Sequence, residues 1–249
     1  TGHTTPANGH TSRVVNVTAP DVYLEGDIAP FVTGGATYQD PLRVGKDLQI
    51  PAHVEFEVLP PVPVDVIVSA PPGSGVLFAP TLDAAGTETL VVEVAETSIR
   101  TGTFYVQTTT QGDDVDDDIT VTIDVHETGT PNPVGYEQTD MPSNIDVGPA
   151  GFSFLTSDDL DAPTFPDIEV PVRPWMLNDG ETGTLHNRRY IQYVRGGYTA
   201  TINVTNTNPT VGNIVAPATF TGGDFRADAL FDGLTAGTTT IDIIQPTGH

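Results

Sequence analysis

The 249-residue sequence predicts an all-β protein, and three observations support this prediction. Thr, Val and Ile number 37, 28 and 14, about a third of the chain, and their β-branched side chains favour extended backbone. The 25 Gly and 22 Pro residues interrupt the sequence too often for a long helix. Short stretches in which apolar and polar residues alternate recur along the chain, as in strands buried on one face.

The alternating stretches predict the strands in order. In the first half they lie at 53–58, 62–68, 90–94, 104–106 and 119–125. In the second half they lie at 191–194, 200–204, 225–231 and 241–243. A segment rich in Pro and Gly separates the two groups, and such segments are typical of domain linkers. We therefore predict a polar tail at 1–12, a first domain at 13–126, a linker at 127–135 and a second domain at 136–249.

The two halves can be aligned with each other, which indicates an internal repeat. The matched segments are 64–68 with 200–204, 104–107 with 229–232, and 121–123 with 241–243. The offset between them falls from 136 to 120 residues, so the loops differ in length. A repeat of this size predicts two tandem β-sandwiches, each closed around its own core, rather than one large barrel.

Two phrases of the sequence resemble a known class of proteins. They are Gly-Thr-Phe-Tyr-Val-Gln at 102–107 and Phe-Asp-Gly-Leu-Thr-Ala-Gly-Thr-Thr-Thr-Ile at 231–241. Together they resemble the penultimate strand and closing hairpin of the tandem immunoglobulin-like repeats of bacterial and archaeal surface proteins. The resemblance implies two immunoglobulin-like sandwiches, an extracellular or cell-surface location and a structural role. Residues 136–175 depart from this pattern, so we expect the second domain to begin irregularly, with an insertion or an irregular first strand.

The charge of the chain is strongly one-sided. Lys and Arg number 9 against 33 Asp and Glu, which gives a formal net charge of −24 at pH 7. Such a chain repels nucleic acid and anionic membranes, so we expect neither as a partner. The sequence also lacks an apolar stretch of about 18 residues, and we expect a soluble segment without membrane insertion.

The residue patterns of common catalytic sites are absent from the sequence. It contains no Cys, no Gly-x-Ser-x-Gly, no His-Glu-x-x-His and no glycine-rich phosphate loop. Carboxylate pairs occur too often among 33 acidic residues to identify a glycosidase site. We therefore expect a protein without enzymatic activity.

One acidic run is a candidate calcium site. The run lies within residues 112–118. When the first half is aligned with the second, the first half carries five extra residues at this run, which predicts a lengthened hairpin turn. Carboxylates this close raise one another's pKa unless a cation neutralises them, and Ca²⁺ accepts six to eight oxygen ligands. A hydrated acidic tip screened by salt is the alternative. The candidate ligands are Asp113, Asp114, Asp116, Asp117 and Asp118.

Positive charge and aromatic side chains are concentrated in one part of the second half. Arg and aromatic residues are enriched at the centres of protein interfaces, and the rest of a neighbouring copy is acidic. We therefore predict contacts between copies here. Alternatively, the aromatic residues belong to the core and the arginines offset nearby acids. The candidate interface residues are Arg173, Trp175, Arg188, Arg189, Tyr190, Tyr193 and Arg195.

Two sites match the pattern for N-linked glycosylation. Asn16 and Asn203 are each followed by Val and Thr, which completes the acceptor pattern. The pattern has meaning only outside the cell and on an exposed side chain, and it arises easily by chance in a Thr-rich chain.

These features predict an extracellular structural protein that associates with other copies of itself. It would be the repeat unit of a surface layer, a filament or pilus, or an adhesin stalk, with Ca²⁺ as its one candidate cofactor. Two alternatives stay open. One is a virus capsid or tail-decoration protein built of jelly-roll sandwiches. The other is a carbohydrate-binding module in which Trp175 and Tyr190 stack on a glycan.

Overall fold

The computed structural model describes residues 18–26, 42–110, 118–138, 143–155, 167–176 and 192–247. This part of the chain forms β-strands and no helix, so the predicted all-β class is confirmed. It accordingly holds no helix that could cross a membrane. The strands are β1 (Val22–Gly26), β2 (Leu42–Gly45), β3 (Leu48–Phe56), β4 (Val64–Ser69), β5 (Val76–Ala79), β6 (Thr89–Val94), β7 (Phe104–Thr108), β8 (Asp118–Glu127), β9 (Ser143–Gly148), β10 (Ala150–Phe154), β11 (Ile168–Met176), β12 (Tyr193–Val194), β13 (Thr199–Asn206), β14 (Gly212–Ala216), β15 (Ala218–Thr221), β16 (Ala227–Gly233) and β17 (Ile241–Ile244).

The strands form four sheets, two in each half. In the first half one sheet has the order β1-β3-β7-β5, with β12 added beside β3, and the other has the order β2-β9-β8-β4-β6. In the second half the orders are β10-β11-β16-β14 and β15-β13-β17. Buried and more exposed residues alternate along β4, β11 and β13, which gives these sheets one apolar face directed at the core.

The strand orders confirm the internal repeat. The first half contains β1-β3-β7-β5 and β6-β4-β8, and the second contains β10-β11-β16-β14 and β15-β13-β17, which is the same arrangement strand for strand. The three segment pairs matched in the sequence lie on equivalent strands, namely β4 and β13, β7 and β16, and β8 and β17.

Each half has two sheets, and its strand order differs from that of an immunoglobulin constant-type sandwich. Seven strands of each half are equivalent, and in chain order they are paired 1-2-6-4 and 5-3-7. An immunoglobulin constant-type sandwich pairs its second strand with its fifth and its third with its sixth. Here the second strand pairs with the sixth, and the third pairs with the fifth and seventh.

Hydrogen bonds attach the region after β8 to the first half. The amide of Val134 donates to the carbonyl of Val125, and the amide of Val22 donates to that of Glu137. Further on, β9 pairs with β8 and runs parallel to β2. The domain limits 13–126 and 136–249 remain predictions. The hydrogen bonds and strand pairs attach residues 134–148 to the first half. The region 136–175, expected to be irregular, contains β9, β10 and most of β11.

Residues 192–198, which we call the connecting segment, join the two halves. Gln192 donates to the carbonyl of Arg43 and accepts a hydrogen bond from the amide of Gly45. β12 then pairs with the start of β3 and also bonds to the backbone at Gly223 and Asp224. The buried apolar residues of both halves form one cluster, so the separate cores expected from the sequence are joined.

Candidate functional site

The interface predicted from Arg and aromatic residues can be followed at four of its seven positions. Arg173 and Trp175 lie on β11, on the face opposite the buried Val172. Their cross-strand neighbours on β10 are Ser153 and Gly151, which are small. Both large side chains are half-buried, so they are not part of the core.

Arg173 contacts an aromatic residue that the sequence did not assign to the interface. Its guanidinium carbon lies 5.5 Å from the ring centre of Phe225, in cation–π geometry. The ring of Tyr193 meets that of Phe225 edge to face at 6.0 Å. Phe225 is 41% exposed. We call Arg173, Trp175, Tyr193 and Phe225 the arginine–aromatic patch.

The charge of Arg173 has no carboxylate partner among the residues that the structure describes. Within the described part of the chain, no Asp or Glu forms an ion pair with it. Its neighbour Arg226 is bonded to Asp228 at 2.8 Å and lies 3.8 Å from Glu169. Burial lowers the pKa of Arg173, and the charge of Arg226 adds to this effect. Arg173 is thus a half-buried guanidinium, with a buried Nε, that has no carboxylate partner among the described residues of a strongly acidic molecule.

Arg195 has a role within the chain instead. Its Nε lies 2.9 Å from Oδ1 of Asp47, and its guanidinium stacks on the ring of Tyr198. Because Asp47 belongs to the turn between β2 and β3, this ion pair fastens the connecting segment to the first half. The remaining predicted interface residues, Arg188, Arg189 and Tyr190, lie outside the described residues.

Most of the acidic run predicted to bind calcium lies outside the described residues. Asp113, Asp114, Asp116 and Asp117 lie outside the described residues, and Asp118 is the first residue of β8. β7 and β8, which flank the run, belong to different sheets. β7 and β8 therefore do not form the hairpin whose lengthened turn the sequence predicted. The calcium site itself stays a prediction.

One of the two predicted glycosylation sites lies on a described strand. Asn16 lies outside the described residues. Asn203 lies on β13, where its backbone pairs with that of Ile244, and its side chain is exposed on the outer face. The modification of either residue stays a prediction.

A second cluster lies on the face of β1 and β3 that is directed away from the core of the first half. The sequence predicted no site there. Glu25 on β1 is directly opposite His53 on β3, and Glu55 is two residues further along β3 on the same face. Nε2 of His53 lies 3.6 Å from Oε2 of Glu25 and 3.6 Å from Oε2 of Glu55. Both Glu25 and His53 are 5% exposed. These three residues could hold a metal ion, since their donor atoms lie within 4.8 Å of one another.

Tyr23 adds a hydroxyl group to this cluster. It is the cross-strand partner of Glu55. Burial raises the pKa of Tyr23, and the carboxylates of Glu55, Glu25 and Glu57 raise it further in that order. Alternation along 53–58 was visible in the sequence and placed His53 and Glu55 on one polar face. Glu25 joins them only through the register of β1, which the sequence does not reveal.

Comparisons with known proteins identify no family. No family model matches the chain, and no curated protein is significantly similar to it in sequence. One similar solved structure is a two-domain protein with unknown function from Bacteroides fragilis NCTC 9343. The alignment covers 92% of this chain and 90% of that one, with 9% identity and a TM-score of 0.28. A similarity at this level carries no inference about function.

Proposed function

We propose that this protein is a non-enzymatic, extracellular structural unit that associates with other copies of itself. In this proposal it is a tandem sandwich protein of the kind found in surface layers, filaments and adhesin stalks. The observation that carries the proposal is the arginine–aromatic patch, in which Arg173 lies over the exposed ring of Phe225.

The composition of the patch fits a second copy of the chain as its partner. Arg and aromatic residues supply most of the binding energy at protein interfaces. A net charge of −24 means that nearly any surface of another copy offers carboxylates to Arg173. The same net charge repels copies at long range, so we expect association to need salt that screens this repulsion.

Edge strands with exposed apolar side chains support association as well. β6 ends its sheet and β17 ends another. Val91 of β6 and Ile244 of β17 are 56% and 51% exposed. An edge of this kind can pair with a strand of another chain.

Sedimentation velocity over a series of protein and salt concentrations tests the proposal. We expect the wild type to form larger species as the protein concentration rises in moderate salt. Phe225→Ser and Arg173→Glu should stay monomeric over the same range.

Two matched variants serve as controls. Val215→Ser also removes an exposed apolar side chain, and Arg100→Glu makes the same charge change at an exposed arginine in the first half. Both should assemble like the wild type. A wild type that is monomeric throughout, or patch variants that assemble like these controls, would refute the proposal.

A further inference from the structure

We propose that Glu25, His53 and Glu55 bind a divalent transition-metal ion of the Zn²⁺ class on the outer face of the first half. This site uses none of the residues of the predicted calcium run, which lie between β7 and β8 in the sequence. It is also separate from the arginine–aromatic patch, so its test does not depend on self-association.

Strand pairing brings the three ligands together. β1 and β3 are antiparallel, and their register places Glu25 opposite His53. Residues two apart on a strand point to the same side, so Glu55 lies next to His53 on that face. Ligands on two paired strands are held by the backbone ladder, which limits the ordering required when an ion binds.

The two distances from His53 to the glutamates fit tetrahedral coordination. Zn–N and Zn–O bonds are about 2.0–2.2 Å long, so neighbouring ligand atoms of a tetrahedral site are about 3.4 Å apart. Nε2 of His53 lies 3.6 Å from one carboxylate oxygen of each glutamate. These separations exceed the length of an N–H···O hydrogen bond, about 2.7–3.2 Å, and are close to the ligand spacing of a tetrahedral site.

The donor types select the ion. Imidazole nitrogen favours Zn²⁺ and similar ions over Ca²⁺ and Mg²⁺, which prefer oxygen ligands. Two carboxylates and a neutral imidazole carry two negative charges, which a divalent ion balances. Glu25 and His53 are buried, where a charge is less costly when an opposite charge lies beside it. Three protein ligands leave a fourth position for water or a ligand from another molecule.

A different state of the same residues makes a contrasting prediction. If His53 is protonated and held between the two glutamates as an ion pair, the cluster binds no metal at neutral pH. The experiment therefore measures metal binding directly, on the full chain after dialysis against a chelator and then against metal-free buffer.

Zn²⁺ titration by calorimetry gives the stoichiometry, and Co²⁺ absorption gives the geometry. We expect one tight Zn²⁺ per chain, a rise in Tm on binding, and the intense visible absorption of tetrahedral Co²⁺. Weak binding at an acidic run would give the faint spectrum of octahedral Co²⁺. Glu25→Gln, His53→Gln and Glu55→Gln should each abolish the tight component and the tetrahedral spectrum.

Two variants control for nonspecific effects. His126→Gln changes another histidine of the first half, and Glu57→Gln changes an exposed glutamate next to the cluster. Both should bind Zn²⁺ as the wild type does. If His53→Gln does not fold, as judged by circular dichroism, the half-buried Glu55→Gln variant decides the matter. Absence of tight Zn²⁺ binding to the wild type, or tight binding that survives Glu55→Gln, would overturn the proposal.

Discussion

Gln107 and Gln49 form a fully buried hydrogen bond between two strands, with Nε2 of Gln107 donating to Oε1 of Gln49 at 2.6 Å. The two residues are cross-strand partners on β7 and β3, on the face directed away from the core. Oε1 of Gln49 also accepts a hydrogen bond from the amide of Gly196 in the connecting segment. Through Gly196, the two glutamines link the first half to the connecting segment that leads into the second half.

We expect both glutamines to be important for stability. Gln49 donates to the carbonyl of Leu82, and Gln107 bonds to the backbone of Ala84 and Gly86. Gln49→Ala would leave the buried amide of Gly196 unsatisfied, and either variant would leave partly buried backbone groups without a partner, at a cost of up to about 1–3 kcal/mol for each group. Urea unfolding should show each single variant less stable by at least about 2 kcal/mol.

The double variant should lose less than the sum of the two single losses, because the residues share one network. Thr201→Ala, at an exposed position of β13, is the control and should change stability by less than about 0.5 kcal/mol. Strictly additive losses would contradict the coupling of Gln49 and Gln107.

Gly196 is a position where no larger residue fits. A Cβ atom there would lie 1.9 Å from the carbonyl oxygen of Ala84, which is backbone and cannot move aside cheaply. We expect Gly196→Ala to lower the free energy of unfolding by about 2 kcal/mol or more, since overpacking forces the backbone to shift. Gly102→Ala is the matched control, because a Cβ at Gly102 meets no atom within 4 Å. Equal stability of the two variants would show that the connecting segment does not pack as described.

The ion pair between Arg195 and Asp47 should contribute more than an exposed one. Its side chains are 20% and 11% exposed, compared with 39% and 28% for Arg226 and Asp228. A partly buried charge-assisted hydrogen bond contributes about 1.5–3 kcal/mol, whereas a surface pair contributes about 0–1 kcal/mol. Thermal unfolding should therefore show a larger loss for Arg195→Ala than for Arg226→Ala. The reverse order would contradict the role of Arg195 as a link between the halves.

The raised pKa values of two tyrosines predict that the free energy of unfolding falls in alkaline solution. Burial raises the pKa of Tyr136. Burial and then Asp47 raise the pKa of Tyr198, and Arg195 opposes them. The folded state therefore keeps these hydroxyl protons to higher pH than the unfolded state, whose tyrosines titrate near pH 10. This stabilisation is complete below about pH 10 and is lost as the pH rises through the folded-state values.

Unfolding curves at increasing pH test this expectation. The unfolding midpoint should fall above about pH 10, and Tyr136→Phe with Tyr198→Phe should make that fall shallower. Tyr136→Phe also removes a hydrogen bond to the carbonyl of Val58, so the comparison rests on the slope with pH and not on the stability at neutral pH. An unchanged slope in the double variant would refute this assignment.

Alternation in the sequence predicted some strands and missed others for physical reasons. Val64, Val66 and Val68 alternate with more polar residues because β4 has one face in the core. β11 gave no such signal, since Pro171 and Pro174 lie within it and Trp175 and Arg173 lie on its outer face. Phe225 lies two residues before Ala227 and continues the apolar alternation of β16. This pattern predicted that the ring of Phe225 faces the core. The strand begins only at Ala227, and the ring lies outside.

Functional groups were predictable only where neighbours in sequence are neighbours in space. The acidic run and the concentration of Arg and aromatic residues are visible as composition. The contact of Arg173 with Phe225 depends on where β11 stops pairing with β16. The last pair is Val172 with Ala227, which lie next to Arg173 and two residues from Phe225. The cluster of Glu25 and His53 depends on the register of two strands, which no local pattern specifies.

We propose that copies of this chain join through the arginine–aromatic patch, and negative-stain microscopy shows such joining as visible polymers. Images of the wild type in moderate salt should show ordered polymers, and Phe225→Ser should show separate particles. Val215→Ser should polymerise like the wild type. Separate particles for the wild type at every concentration, or the same polymers for Phe225→Ser, would contradict the claim.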